Sequence, residues 1–465
     1  MKEYKLFLNG SWVDSTGKDV ISVENPATKK IIAKVPAGKE EDVNIAVQGA
    51  LEAFEPWRSL DINQRLSYVE KMYQYLESQQ DEIGRTISEE LGSPIRFATS
   101  RHVSMYLDHI KNYLSIAKDY NFVEDYDGYR VIKEPVGVVG CLTPWNYPFG
   151  QIVKKVIPAL LAGNTVILKP SRRTPLTAYY FAKAAMEANL PKGVFQLIPG
   201  RGGEVGNILA SHKDVNMISF TGSTSGGKEV ASLAIQSIKR LALELGGKSA
   251  ALFLEGANYE KDIKKVLDTV YLNTGQTCSA KTRMIAPRKD KEIIEEILIR
   301  ESKKYRFGDP MEDVDVGPLQ SQKQWDKVDS YIKLGKEEAN LLYQGDLYEG
   351  PGYYITPVIF TDVDPNAKIA QEEIFGPVLS VIYYDSFEEG IHISNNSIYG
   401  LSGFVFGPEE EAYNAALRIR TGQIQVNRGR FTQNAPFGGF KQSGLGREGS
   451  IYGFEEFLEI KTLFL

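Results

Sequence analysis

A chain of 465 residues exceeds one typical domain and predicts two or three. Its composition, 42% hydrophobic and 25% charged, is that of a globular protein with a large core, and a net charge of −6 argues against sequence-independent binding to nucleic acid. No apolar run approaches the roughly 18 residues of a membrane-spanning helix, and the start Met1-Lys2-Glu3-Tyr4 lacks a signal-peptide core.

In chain order, Leu6-Phe7-Leu8 and Trp12-Val13 flank the turn signal Asn9-Gly10 and predict a hairpin. Helical spacing follows at Glu41 to Phe54, then over Asn63 to Leu91 and Arg96 to Ala117. Phe122 to Lys133 encloses Asp127-Gly128 and predicts a β-ribbon. From Val136 the rhythm changes to strand–helix alternation. Strands are expected at Val136–Leu142, Thr165–Leu168, Val194–Ile198 and Met217–Phe220, with helices at Gln151–Leu161, Leu176–Ala188 and from Ser225. Repeated βα units imply a parallel sheet, with ligands at the carboxyl ends of its strands. A second α/β region runs from about Ser249 to Gly439, with strands at Ala250–Leu254 and Val378–Tyr383 and helices at Lys261–Val270 and Glu409–Ile419. Phe457 to Leu465 reads as a strand with little polar cover, and a second subunit is its natural partner.

Only two cysteines occur, Cys141 and Cys278, which fits a reducing cytoplasm better than a disulfide framework. Four histidines, His102, His109, His212 and His392, are too scattered for a metal cluster, and no metal is expected. His102 and His109 read as surface or core residues. Cys278 ends the run Asn273-Thr274-Gly275-Gln276-Thr277, where small residues let another backbone approach. Glu244 lies stranded among the apolar and small residues of Leu243–Lys248. A thiol and a carboxylate of raised pKa are the parts of a nucleophile and general base. A lone buried cysteine would more often be structural, so the neighbouring motifs decide.

Thr143-Pro144-Trp145-Asn146-Tyr147-Pro148 follows the first strand of the βα series. A proline-fixed loop carrying one amide suits an oxyanion hole, although Asn146 is equally suited to capping the next helix. Lys169-Pro170-Ser171 ends the second strand, where a lysine can reach a nucleotide. Gly200-Arg201-Gly202-Gly203 has the wrong spacing for a dinucleotide fingerprint and alone reads as a turn. Gly222 to Lys228 fits G-x-x-x-x-G-K, but Glu229 replaces the metal-holding hydroxyl. A helix N-terminus binding a pyrophosphate without metal is the better reading. Glu373 and Phe375, in Gln371 to Pro377, could meet a ribose and a flat ring, or simply form an exposed acidic helix end.

Taken in order, Pro144–Pro148, Lys169–Ser171, Phe220–Ser223, Glu244–Lys248, Gly275–Cys278, Glu373–Pro377 and Pro436-Phe437-Gly438-Gly439-Phe440-Lys441 make the chain resemble the aldehyde dehydrogenase superfamily along nearly its whole length. The resemblance implies an α/β fold in three parts. These are a Rossmann-like cofactor-binding domain (1–118 and 136–246), a catalytic domain (247–447) and a small β oligomerisation ribbon (119–135 and 448–465) of a homodimer or homotetramer. It implies NAD(P)-dependent oxidation of a small-molecule aldehyde. Cys278 would attack the carbonyl, with the oxyanion held by Asn146 and the Cys278 backbone N–H. Hydride loss would leave a thioester, which Glu244 would hydrolyse through an activated water. Lys155 and Glu448 match the positions of a proton relay behind the site. Trp145, Lys169, Ser171, Arg172, Gly202, Gly222, Ser223, Glu373 and Phe375 would hold the dinucleotide.

Two alternatives stay open: an acylating enzyme that passes the thioester to coenzyme A, and a catalytically silent homologue. Glu244 weighs against the first, and the presence of Cys278, Glu244 and Asn146 against the second. Where many NAD-preferring relatives carry a glutamate, this chain has Arg172 and then Arg173, so use of NADP is expected. Lys154 takes a place where relatives point an aromatic into the aldehyde tunnel. With Arg428 and Arg430 it predicts a cationic mouth for an aldehyde bearing an acid group.

Overall fold

In the computed structural model, residues 3–465 are described, and they build two open sheets and a small ribbon. The first sheet has eight strands in the order Ser11–Val13, Leu6–Leu8, Phe195–Leu197, Thr165–Lys169, Val138–Leu142, Met217–Thr221, Arg240–Glu244 and Gly444–Leu445. Its five central strands, from Phe195–Leu197 to Arg240–Glu244, pair in parallel. All five residues of Val138–Leu142 are buried, as are all five of Thr165–Lys169, the continuous burial expected when helices cover both faces of a parallel sheet.

Val138–Leu142 has Thr165–Lys169 on one side and Met217–Thr221 on the other. The strand order therefore reverses between Val138–Leu142 and Met217–Thr221, which opens a crevice at their carboxyl ends. The loops that leave those ends are Thr143–Tyr147 and Gly222-Ser223. The second sheet has seven strands in the order Asn340–Gln344, Val358–Thr361, Val378–Tyr384, Arg283–Pro287, Ala250–Phe253, Ser402–Phe406 and Gln423–Val426, all parallel except the first. The chain then returns to the first sheet. Leu445 pairs with Leu243 and Gly444 with Glu244, and an isolated bridge joins Phe437 to Glu448.

The N-terminal hairpin forms around Asn9-Gly10, both at positive φ. The stretch read as helical from Asn63 to Leu91 is two helices, Ile62–Ser78 and Gln80–Leu91, broken at Gln79. The first starts with a capping box, Asp61 accepting from the Gln64 N–H, and the second ends at a left-handed Gly92. Between Arg96 and Ala117 the expected single helix opens into a wide π-turn over Ala98–Ser104 before Met105–Asp119. Hydrophobic spacing does not reveal such a change of pitch.

Tyr129–Pro135 pairs with Val123–Tyr126 on one side and with Leu458–Phe464 on the other. The C-terminal strand thus has a partner within its own chain, and its second edge is free. Among the described residues no helix is long and apolar enough to cross a membrane, and no group of His, Cys, Asp and Glu is placed to hold a metal.

Candidate active site

The segment before Cys278 is held in a costly conformation. Asn273, Thr274 and Gly275 all have positive φ, 53°, 56° and 70°. Two non-glycine residues in that region cost on the order of 1–3 kcal/mol each. Side-chain bonds offset the strain: Thr274 Oγ1 donates to Gly317 O at 3.0 Å, and Asn273 Nδ2 to Asn146 O at 3.1 Å. A Cβ on Gly275 would lie 2.3 Å from Gly376 O, so only glycine fits there. The result is a rigid loop in which Cys278 as a residue is partly buried, while Cys141 is fully buried inside the first sheet.

Asn146 is buried, and its Nδ2 donates to Gln276 O at 3.0 Å, which ties the loop after Val138–Leu142 to the cysteine loop. Tyr147 and Thr277 add a hydroxyl–hydroxyl bond of 3.0 Å. Asn146 therefore joins two loops rather than capping the helix Pro148–Ala162, which has no side-chain cap. Burial pushes the Cys278 thiol up to about 12, with Glu373, Glu244 and Glu448 adding to it and Lys154 opposing. In this state the sulfur is a thiol at neutral pH, and its use as a nucleophile requires a base.

Glu244 supplies a candidate. It ends the strand Arg240–Glu244, is 3% exposed, and neither carboxylate oxygen has a hydrogen-bond partner. Burial, and next the charge of Glu448, hold it well above the ordinary carboxylate range, against the pull of Lys154, Lys155 and Arg447. Glu448 behaves oppositely. Burial would raise it, but Lys155 and Lys154 outweigh burial and hold it low. Lys155 is ion-paired with Glu448 and also donates to Ser219 Oγ at 3.2 Å. The two buried carboxyl groups are thus pushed in opposite directions, Glu244 up and Glu448 down.

The residues expected to hold a dinucleotide lie on the loops that leave the first sheet's parallel strands and on the segment Glu373–Phe375. Lys169 is buried next to Gly206, and burial and then the charge of Arg172 pull its ammonium down to about 8. Arg172 is exposed, and no carboxylate pairs with Lys169 or Arg172 among the described residues. Arg173 is used otherwise: it donates to Gln320 Oε1 at 3.2 Å and Ser321 Oγ at 2.7 Å and lies over the Trp145 ring. Ser171 Oγ accepts from the Arg173 N–H at 3.3 Å.

Cβ atoms on Gly202 or Gly203 would meet nothing within 4 Å, so this turn has open space before it. Gly222 precedes Ser223, which caps the helix Thr224–Ala234 by accepting from Gly226 N–H at 3.2 Å. The buried Thr221 hydroxyl beside them has no partner. Glu229 Oε1 accepts from Asn207 Nδ2 at 2.7 Å. Glu373 accepts from the Gly247 N–H at 3.1 Å and lies across Gly246. Phe375, at φ 64°, sets its ring edge-on to Trp145 with centroids 5.4 Å apart. An open glycine turn, an unpartnered hydroxyl, the Lys169 and Arg172 cations, the Glu373 carboxylate and the Trp145 and Phe375 rings fit the phosphates, ribose and flat rings of a dinucleotide.

A model described as the aldehyde dehydrogenase family matches residues 12–463. The chain belongs to the aldehyde dehydrogenase family. It is 44% identical to a 3-succinoylsemialdehyde-pyridine dehydrogenase from a Pseudomonas species, over 100% of this chain and 99% of the relative. A crystal structure of aldehyde dehydrogenase C from Pseudomonas syringae, a cysteine-to-alanine mutant with NAD+ and octanal, superposes with a TM-score of 0.97 at 38% identity. That match covers 99% of this chain and 96% of the other. Betaine aldehyde dehydrogenase from Staphylococcus aureus with NAD+ gives a TM-score of 0.96 at 32% identity, covering 99% and 94%.

Other features of this aldehyde dehydrogenase depart from the sequence reading. The three cations expected at one mouth differ in exposure, Lys154 being buried and Arg428 and Arg430 exposed. Lys154 is 4% exposed, 3.7 Å from Glu448 and 3.9 Å from the centre of the Phe437 ring. Arg428 lines a surface cavity with Asn258, Lys261 and Asp262, and Arg430 is exposed. The reason is register: the helix Pro148–Ala162 is buried on every side, so no position on it faces open solvent. His109, read from the sequence as a surface or core residue, is in the core. It is 2% exposed, stacks on Tyr106 at 5.1 Å, and neither ring nitrogen has a partner. Lys248 was missed as a site group. Its ammonium is buried without a partner, pulled down to about 7 by burial and Arg283.

Proposed function

We propose that this protein oxidises an aldehyde to the carboxylic acid, with NAD+ or NADP+ reduced and one water consumed. The observation that carries the mechanism is the partly buried Cys278, on a loop braced by Asn146, within reach of the charge of a buried carboxyl group with no partner of its own. Ionised Glu244 takes the Cys278 proton and passes it on toward Lys155 and Glu448, while the sulfur adds to the aldehyde carbon, forming a C–S bond as the C=O π pair moves onto oxygen. The oxygen becomes an oxyanion, met by the second amide hydrogen of Asn146 and the Cys278 backbone N–H. A nicotinamide held in the crevice would supply the two-electron oxidant, accepting the aldehyde hydrogen as hydride and so leaving the carbon as a thioester on Cys278. Glu244 then takes a proton from water, the hydroxide adds to the thioester carbon, and the C–S bond breaks to release acid and thiol. The ionised Glu448 and the ammonium of Lys155 pass that proton away from Glu244.

In this reading Trp145, Lys169, Ser171, Gly202, Gly222, Ser223, Glu373 and Phe375 hold the dinucleotide. Solved relatives are described with NAD+. Use of NADP+ by this chain is supported by Arg172, exposed and unpaired beside Lys169, where a 2′-phosphate would find two cations and no acid.

Residues 1–118 and 136–246 form the cofactor domain, 247–447 the catalytic domain, and 119–135 with 448–465 the ribbon of a homo-oligomer. A cytoplasmic setting accompanies the mechanism, since both cysteines are free thiols and Cys278 must remain one. The test is production of NADH or NADPH from a panel of aldehydes, with and without coenzyme A. Turnover in water alone supports the hydrolytic reading, and turnover only with coenzyme A overturns it.

A further inference from the structure

A cavity of about 720 Å³ lies between the N-terminal strands, the helix Gln80–Leu91 and the helix Ala178–Glu187. That volume is in the range of small-molecule sites, and no residue assigned to catalysis or to the dinucleotide lines it. Its walls are aromatic. Trp12 stacks on Tyr179 with centroids 5.8 Å apart and planes 18° apart, and Tyr4 meets the same ring edge-on at 4.6 Å. Tyr180 adds a fourth ring.

The remaining lining follows from helical spacing. Glu82, Thr86 and Glu89 recur at intervals of four and three, so they share one face of the helix Gln80–Leu91. Ile83, Ile87 and Leu91 on its other side are fully buried and hold it to the core. The Thr86 and Tyr180 hydroxyls satisfy each other at 3.1 Å. Tyr179 is not satisfied: it is 4% exposed, and its hydroxyl has no hydrogen-bond partner. A buried hydroxyl in that condition is costly unless something else in the cavity meets it.

The charges around the rings are mostly negative. Among the described residues, neither Glu82 nor Glu89 has an ion pair or a side-chain hydrogen bond. Two lysines border the cavity, but Lys5 is paired with Asp14 at 3.0 Å, and the exposed Lys183 lies over the Tyr180 ring at 5.4 Å. Behind Leu176 the buried Glu90 accepts from the Leu176 and Thr177 N–H groups at 2.8 and 3.1 Å. Burial, and then the charges of Glu90 and Glu89, raise the Tyr4 hydroxyl, so the negative potential reaches the wall.

Ring faces carry the negative side of the aromatic quadrupole, and they attract a cation as the carboxylates do. We propose that this cavity binds a small organic cation, an ammonium group on an aromatic or branched apolar body, at a site separate from the catalytic centre. The ammonium lies toward Glu82 and Glu89, with the Tyr179 oxygen accepting one of its N–H groups. The apolar body packs against Trp12, Tyr4 and Leu176.

The experiment titrates phenethylamine, and 2-phenylethanol as the same body without the charge, into the full-length protein by calorimetry at neutral pH. The amine should bind once per chain with a Kd below about 1 mM, and the alcohol about tenfold more weakly. Combined Glu82→Gln and Glu89→Gln should raise the Kd of the amine about tenfold and leave that of the alcohol within about twofold. Tyr179→Phe should weaken the amine about threefold. Both glutamates lie outside the core, so circular dichroism and aldehyde oxidation of the double variant should match the parent. Equal affinity for amine and alcohol overturns the proposal, as does a parent protein that fails to bind the amine. Amine binding that is unchanged in the double variant also overturns it, because that places the ligand elsewhere on the chain.

Discussion

The side-chain amide of Asn146 donates to the carbonyl oxygen of Gln276 at 3.0 Å, two residues ahead of Cys278. One hydrogen bond therefore couples the first sheet's reversal-point loop to the nucleophile loop that precedes the second sheet's strand Arg283–Pro287. It uses one of two amide hydrogens and fixes the direction of the other. An oxyanion donor is effective to the extent that it is aimed before charge develops. Asn146→Ala should lower kcat by roughly 10²–10³-fold. It also leaves the Gln276 carbonyl with only the 3.3 Å bond from Asn273 Nδ2 and should cost about 0.5–1.5 kcal/mol of stability. Steady-state kinetics with thermal unfolding check both parts, and a kcat within threefold of the parent removes Asn146 from the reaction.

Glu244 and Cys278 should separate into two half-reactions. Cys278→Ala is expected to abolish aldehyde oxidation, since Cys141 is fully buried and its thiol is pushed up to about 12 by burial. Glu244→Gln should form the acyl-enzyme and fail to release it. Intact mass spectrometry would then show the acyl increment on the peptide carrying Cys278. A Glu244→Gln enzyme that turns over at the parent rate would refute the assignment.

The neighbouring charges fix the sign of the pH dependence. Deacylation needs Glu244 ionised, and its pKa is raised, so kcat should rise with pH through a value above the ordinary carboxylate range. Glu448 is a like charge that adds to the rise, whereas Lys154 counters it. Glu448→Gln should therefore move the acid limb of kcat to lower pH, and Lys154→Met should move it to higher pH. Limbs that shift in the same direction would contradict the electrostatic arrangement.

The motifs made Cys278, Glu244 and Asn146 legible because each sits at a strand end or in a glycine-bound loop, where composition is distinctive. The βα rhythm likewise located most strands of the first sheet within a residue or two, since fully buried strands are short apolar runs. His109 stayed undecided between surface and core for a physical reason: a polar residue on a helix reads the same whichever it faces. The burial of Lys154 was illegible because position along a helix gives its face but not what lies against it. Here that is Phe437 and Glu448, nearly 300 residues later in the chain. The π-turn at Ala98–Ser104 has no compositional signature at all.

Cofactor choice should turn on one arginine and not its neighbour. Arg172 is exposed and unpaired, while Arg173 is committed to Gln320 and Ser321. Arg172→Glu should lower kcat/KM for NADP+ at least tenfold and raise the NAD+ to NADP+ ratio accordingly. Arg173→Ala should lower the unfolding temperature and leave that ratio within about threefold. Strong preference for NAD+ that is unchanged by Arg172→Glu would rule out a phosphate contact there.

The strand Leu458–Phe464 gives the last test. One edge is paired to Tyr129–Pro135, with a Lys461–Glu134 ion pair at 2.6 Å, and the other edge is free. Ile460, Phe464 and Leu465 are 72%, 85% and 81% exposed. A free strand edge bearing large apolar side chains is a surface that water does not stabilise, and burying each such side chain contributes about 1.5–3 kcal/mol. The protein should therefore run as a dimer or tetramer in light scattering at micromolar concentration. Ile460→Lys combined with Phe464→Glu should shift it toward monomer, in a dilution-dependent way, and lower its unfolding temperature. A clean monomer for the unaltered chain would show that this edge is tolerated in water and would remove the ribbon from any assembly.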